Sequence, residues 1–524
     1  MGGKVCGEKR NDAHSVMDFF APFACYHAME LFGLHINWRT ALTVIVIACH
    51  YALIAGVILR VMVRDQMEPV VRLTWVMLIA LLPIVGVLVY LLFGEIRLNR
   101  AKGSKMRTVR TKLSSVWAMG RAADHGAAVD AANSFAMGTA TSDFYPVADN
   151  RLTMLPQGDA MMDDMIRAIE GAEDTVHILF YIWLPDGVGG RVVQAVCDAA
   201  ERGVTCRVLV DAVGSRLLIA SPHWKALRAA GVKLHRAFPF RNPLVEMLFQ
   251  RVDLRNHRKI AVIDNKITWI GSRNCADEAF AIKAKYAPWV DVLLRVEGPL
   301  VRQMQSVFLA DWMLYDDDAP VHLLLESQSH FPPVDDGPVV ATGVTGQVIA
   351  SGPSQSVIGI SDTMIAMCYA ARHRLMATTP YYLPDMALHQ ALLAAARRGV
   401  DVTLILPEKN DSWVVAAASR SLFPTLLAAG VKLRMYRGGL LHAKIMTVDG
   451  MLSIVGSANL DRRSFDLNYE CNILMDSPEV ADMLDARQAI YLENCHEITV
   501  AQVALWPTWR RIYQNLVALA GPLL

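Results

Sequence analysis

Disulfide chemistry and structural zinc are the first things this sequence does without. Its nine cysteines are scattered, odd in number and never spaced as CxxC, so neither a disulfide framework nor a zinc site is indicated. Free thiols in a reducing compartment follow. Formal charge is missing from two long stretches, the 19 residues Ala41–Leu59 and the 21 residues Leu73–Phe93, the second interrupted by Pro83 and Gly86. Crossing the hydrocarbon layer takes about 20 apolar residues, so both read as transmembrane helices. The late start of the first run and the second run close behind it argue against a cleaved signal peptide. Acidic residues are absent from Ile96–Arg121, which holds eight Lys/Arg, so the net charge of +1 conceals a strong local asymmetry.

That basic segment sets the topology. Positive charge stays in the cytoplasm, which places everything after Phe93, and by two crossings the N-terminus, on the cytoplasmic side. The loop Arg60–Arg72 is left outside, although three arginines make it a less clean match to the rule. The segment can also hold anionic lipid beside the remainder of the chain. Phe19–Trp38, apolar and aromatic but broken by His27, Glu30 and His35, reads as an interfacial helix. Residues 1–38 thus form an N-terminal segment, 39–95 the two-helix anchor, and 96–145 a basic stretch and Ala/Gly-rich linker.

Beyond the linker, helical and β-rich segments alternate, and the pattern repeats. Residues 175–186, TVHILFYIWLPD, match 374–385, RLMATTPYYLPD; 195–210 match 391–406; and 226–236, ALRAAGVKLHR, match 425–435, TLLAAGVKLRM. The βαβ arithmetic predicts α/β domains with mainly parallel sheets, spanning 146–330 and 331–524. The Asp-, Pro- and Gly-rich stretch Asp316–Gly346 lies at the break.

Each copy ends in the same constellation. His257, Lys259 and Asp264 are followed by Gly271, Ser272 and Asn274; His442, Lys444 and Asp449 by Gly456, Ser457 and Asn459, at identical spacing. Apolar runs at Ile445–Val448 and Leu452–Val455 read as short buried strands bounded by turns. An imidazole beside an ammonium, with a serine and an asparagine at the end of the next strand, is a site for a phosphate. Duplication allows both histidines to enter one cleft.

The duplicated HxKxxxxD with its GSxN resembles the phospholipase D superfamily. Together with the two apolar runs and the strings YAPWVDVLLRVEGP at 286–299, TTPYYLPD at 378–385 and GSANLDRRSFDLNYE at 456–470, it resembles the bacterial cardiolipin synthases of that superfamily. Two departures stand out: Gly271-Ser272 where members often have Gly-Gly, and Trp289-Val290-Asp291 where an arginine usually follows the tryptophan. The resemblance implies two tandem phospholipase D-like domains and a covalent phosphohistidine, with His257 as nucleophile and His442 as general acid and then base. Lys259 and Lys444 would bind the non-bridging oxygens, and Ser272, Asn274, Ser457 and Asn459 would donate hydrogen bonds to substrate. Asp291 would orient His257 and Glu470 would orient His442. Asp264 and Asp449 complete the catalytic motifs, though the resemblance implies that they support the fold more than they touch substrate.

The implied reaction joins two phosphatidylglycerols into cardiolipin and glycerol at the bacterial cytoplasmic membrane, with no cofactor and no metal. Hydrolysis, or transfer from another phospholipid, would use the same residues. Anionic membrane lipids are the expected partners; a homo-oligomer is compatible with the sequence. Nucleic acid is not expected, because the apolar runs and an apolar insert argue against a nuclease. That insert, Phe238–Arg255, occurs only in the first half. Leu244, Met247, Leu248 and Arg251 fall on one helical face, which is expected to dip into lipid beside the cleft.

Overall fold

The computed structural model describes residues 38–64, 67–95, 103–109, 129–239, 253–324, 340–353 and 359–519, with residues 2, 29–31, 34–36, 111, 113 and 251. Two compact units divide the chain, Met1–Leu91 and Leu92–Leu524.

In the first unit, Trp38–Met62 forms one 25-residue helix that is long and apolar enough to cross a membrane. It contains the whole of the first uncharged run. The second uncharged run is not a single helix. It is two helices, Pro69–Leu81 and Pro83–Phe93, which break at Leu82. Proline at 83 has no N–H to offer the preceding turn and its ring crowds that turn's carbonyl, so the helix bends there. At about 1.5 Å per residue neither piece alone spans a hydrocarbon core of about 30 Å. Within the expected interfacial helix, the described residues instead pair as antiparallel strands Met29–Leu31 and Leu34–Ile36; the remainder lies outside the described residues. So do most of the basic segment and residues 240–250, which carry the predicted helical face of the insert.

The second unit is built on one continuous sheet to which both sequence repeats contribute. Val147–Met154 and Val340–Ser351 pair antiparallel at its centre. Outward from Val147–Met154 run Leu293–Glu297, Ile267–Gly271, Lys259–Ile263, Thr175–Phe180, Thr205–Asp211 and Lys233–Ala237. Outward from Val340–Ser351 the equivalent strands follow in the same order: Asn468–Asp476, Leu452–Gly456, Ile445–Val448, Arg374–Thr378, Asp401–Pro407 and Lys432–Tyr436, with Cys495–Ile498 added at the edge. The repeat is therefore a pseudo-two-fold.

The sheet is mixed, and the expectation of mainly parallel strands is wrong. Along the main strand order, parallel pairing occurs only in the two wings, where helices such as Gly187–Glu201 and Met386–Arg397 make βαβ crossovers; the short strand Arg255–Asn256 adds a parallel pair off that order. The motif strands run antiparallel because each pair is closed by a three-residue connection, Asp264–Lys266 or Asp449–Met451, whose first two residues are at positive φ. Left-handed backbone at both positions reverses the chain within a tight hairpin. Burial does not follow that division: the wing strand Thr175–Phe180 and the motif strand Ile445–Val448 are both buried along their whole length, as strands covered on both faces must be. The central core draws Val301, Met304 and Phe308 from the first half together with Ile473, Met475 and Val480 from the second.

Candidate active site

The histidines sit just ahead of the motif strands, in segments that cross to the other half. Arg255–Asn256 pairs in parallel with Asn468–Tyr469, and the His257 N–H donates to Tyr469 O at 2.9 Å. Leu440–Leu441 pairs in parallel with Trp289–Val290, and the His442 N–H donates to Val290 O at 2.8 Å. Each imidazole therefore reaches the carboxylate of the opposite repeat. His257 Nδ1 lies 2.9 Å from both oxygens of Glu470, and His442 Nδ1 lies 2.6 Å from Asp291 Oδ1. The expected pairing of Asp291 with His257 and Glu470 with His442 is thus reversed. The exchange is a product of sheet topology: the strand beside each histidine segment belongs to the other half.

Ser272 and Ser457 turn toward those carboxylates. Ser272 Oγ donates to Asp291 Oδ1 at 2.6 Å and accepts from Val292 N, while Ser457 Oγ donates to Glu470 and accepts from Cys471 N. Both hydroxyls are buried behind the carboxylates and hold them in place. The preceding glycines make this possible. A Cβ at Gly271 would lie 2.1 Å from Val292 O, and one at Gly456 would lie 2.4 Å from Cys471 O, so only glycine lets the serine strand approach. Asn468 Nδ2 adds a bond to Glu470 at 3.1 Å.

Asp264 and Asp449 are away from the site. Asp264 accepts from the backbone N–H groups of Glu173, Asp174 and Thr175 at 2.8–3.0 Å. Asp449 does the same for Arg372, His373 and Arg374 at 2.7–2.8 Å. They clamp the hairpin turn to the start of the neighbouring strand.

A cavity of about 270 Å³ collects His257, His442, Asn274 and Asn459 in its wall. Tyr181 packs edge-on against His257, and Trp289 lies tilted against His442, each with ring centres 4.8 Å apart. Lys259 and Lys444 are buried beneath, each ammonium donating at 2.6 Å to the carbonyl of its own motif histidine. Asn274 Oδ1 and Asn459 Oδ1 have no hydrogen-bond partner among the described residues, an expensive arrangement in a buried wall unless a ligand answers it. The outer wall adds residues that the motif spacing does not point to: Arg463, Tyr381, and Lys283 ion-paired with Asp411 at 2.5 Å. Tyr181 and Tyr381 occur in the repeated strings ending in LPD, which is the one signal that could have found them. Among the described residues no group of three or more His, Cys, Asp or Glu is placed to hold a metal ion.

Burial dominates the electrostatics. It pushes both imidazoles down to about 4, with the nearby lysines adding to the effect and the carboxylates opposing it. It also pushes Lys259 down to about 8 and Lys444 to about 7. Burial alone would raise Asp291 and Glu470, but the partner imidazoles and the lysines outweigh it and hold both below the usual carboxylate range. Each neutral imidazole therefore donates Nδ1–H to an ionised carboxylate, leaving Nε2 with its lone pair for the cavity. Two such nitrogens flanked by two ammonium groups suit displacement at a phosphodiester.

The comparisons agree with this chemistry. A family model described as "Cardiolipin synthase, PLD-like domain" matches residues 165–312 and 364–488, and one described as "Phospholipase D-nuclease N-terminal" matches 52–95. Cardiolipin synthase A of Klebsiella pneumoniae (strain 342) is 35% identical over 505 residues, covering 95% of this chain and 100% of that protein. Cardiolipin synthase A of Edwardsiella ictaluri (strain 93-146) is 35% identical over 494 residues, covering 93% and 100%. Among solved structures, phosphatidylserine synthase from Haemophilus influenzae Rd KW20 superposes with a TM-score of 0.56 at 13% identity, covering 75% of this chain and 100% of that one. Fold and site define a protein of the phospholipase D type. The chain belongs to the cardiolipin synthase family.

Proposed function

We propose that this protein is a membrane-bound cardiolipin synthase that transfers a phosphatidyl group between two phosphatidylglycerol molecules. The observation that carries the reading is a single buried cavity holding two imidazoles, each backed by a carboxylate and each accompanied by a lysine. Nε2 of His257 attacks phosphorus of the first lipid, while Lys259 and Lys444 balance the charge that grows on the non-bridging oxygens. The incoming phosphodiester brings negative charge into the pocket, which favours the imidazolium at His442. His442 gives its proton to the departing glycerol oxygen, leaving a phosphatidyl group bonded to His257. Neutral His442 then takes the proton of a glycerol hydroxyl on the second lipid. That oxygen displaces His257, and cardiolipin leaves. Asn274 and Asn459 orient the phosphate, with Asp291 and Glu470 fixing the tautomers.

The same reading places two membrane crossings at 39–95, the kinked pair acting as one, with phospholipase D-like domains at 146–330 and 331–524 on the cytoplasmic face of a bacterial inner membrane. The basic segment 96–121 supports that orientation. Purified protein with labelled phosphatidylglycerol in micelles should release glycerol in step with cardiolipin, and chelators should change the rate little. Phosphatidic acid as the only product would replace the synthase by a hydrolase. Loss of activity with chelator, restored by a divalent ion, would overturn the role given to the lysines.

A further inference from the structure

The helix Thr508–Leu519 is packed the wrong way round for a soluble protein. Trp509, Ile512, Tyr513, Leu516 and Leu519 fall on one stripe at helical spacing. Ordinary packing would bury that stripe, yet Trp509 is 69% exposed, Ile512 55%, Leu516 61% and Leu519 68%. The side turned inward carries Gln514, only 4% exposed, and Arg510, whose guanidinium sits 4.0 Å over the Trp506 ring. A polar glutamine is buried while four large apolar side chains stand in the open.

The stripe is continuous with the site. The helix packs against Trp413–Ser421. Val415 of that helix and Ser412 at its N-cap line the catalytic cavity, while Trp413 between them is 67% exposed. Leu505, just ahead of the inverted helix, is 84% exposed. Charge points the same way: neither helix contains Asp or Glu, and Arg511 of the second is exposed. Exposed tryptophans among large aliphatics, bordered by arginine and free of acid, match the chemistry of an anionic phospholipid surface.

We propose that Thr508–Leu519 is an interfacial helix that lays its apolar stripe into the lipid boundary and turns the cavity beside Trp413 toward the bilayer. The proposal rests on the reading of the substrate as a membrane lipid. It adds to the N-terminal helix a second attachment, one that orients the catalytic unit, so that a two-tailed lipid can offer its phosphate without leaving the membrane.

The test uses the full chain in proteoliposomes of phosphatidylethanolamine and tritiated phosphatidylglycerol, with p-benzoylphenylalanine placed at Leu516. Illumination should attach label to the peptide that carries residue 516. A cross-linked dimer, an adduct within the chain, or no lipid adduct would overturn the proposal. In parallel, the double variant Trp509→Ser, Leu516→Ser should turn over bilayer phosphatidylglycerol about tenfold more slowly, while a soluble dihexanoyl analogue changes by less than about twofold. Equal loss on both substrates with a lowered melting temperature would mark the stripe as packing surface and overturn the idea. Failure of the wild type to make any cardiolipin would refute the proposed function instead, and the photolabel would still report whether the helix meets lipid.

Discussion

Glu470 collects Ser457 and Asn468 from its own half and the His257 imidazole from the other, so one carboxylate ties three groups into a single tautomer. Replacing it as Glu470→Gln should slow turnover by about 10²–10⁴-fold, the scale seen when a histidine base loses its orienting carboxylate. Asp291→Asn should cost a similar factor with natural lipid, but for another reason, because it disables proton delivery by His442. A phosphodiester with a p-nitrophenol leaving group needs no proton on departure. With that substrate the burst of phosphoenzyme should largely recover in Asp291→Asn and stay slow in Glu470→Gln. The opposite pattern would make His442 the nucleophile. The lysines predict a pH dependence. Lys444, pushed to about 7, and Lys259, pushed to about 8, carry charge below those values and lose it as pH rises through them. Sulfate, whose own charge is constant in this range, should inhibit less well by about tenfold per unit between about pH 7 and about pH 8, and more steeply above, where both lysines lose their charge. A flat inhibition constant from about pH 6 to about pH 9 would refute it. The pairs of histidine, lysine and asparagine were legible because phosphate chemistry is local and the spacing occurs twice. The serines were not, since a hydroxyl next to a strand end can face substrate or a carboxylate with equal ease, and only the close approach at Gly271 and Gly456 decides.

At the scale of elements, the two motif hairpins depend on Asp264 and Asp449, each accepting three backbone N–H groups from the adjacent loop. Asp264→Ala or Asp449→Ala leaves those donors to solvent and puts alanine at positive φ. Each should lower stability by about 1–3 kcal/mol, read as a fall in melting temperature. The kcat of protein that remains folded should change by less than about threefold. A loss of several orders of magnitude in folded protein would return these aspartates to the catalytic set. The wing strands and crossover helices could be read from the repeat because glycine stops and apolar runs mark them. The direction of the motif strands could not, because the βαβ rhythm of the wings was extended inward past a tight turn that reverses the chain. The break within Leu73–Phe93 was hidden for a similar reason: absence of charge measures lipid compatibility but is blind to the bend that Pro83 imposes.

For the whole molecule, the central pairing of Val147–Met154 with Val340–Ser351 makes both halves one body with one site. Arg258 strengthens the joint from within. It is fully buried, ion-paired with Asp311 at 2.6 Å and donating to the carbonyls of Glu470 and Ser351 across the divide. Mixed micelles of His257→Ala and His442→Ala chains should therefore recover no activity, because each chain keeps its own incomplete cavity. Recovery of about a quarter or more of the wild-type rate, as random pairing of shared sites would give, would contradict a site contained in one chain. No pattern in either repeat announces the exchange of carboxylates, since the two copies are equivalent in sequence and only the folded sheet distinguishes near from far. The exchange has a consequence for descent. A duplicated gene usually leaves one copy free to drift. Here the dyads are dealt across the repeat, position 257 with 470 and position 442 with 291. A mutation in one copy can be answered only by a mutation in the other, and neither copy can be lost without disarming the histidine of its twin.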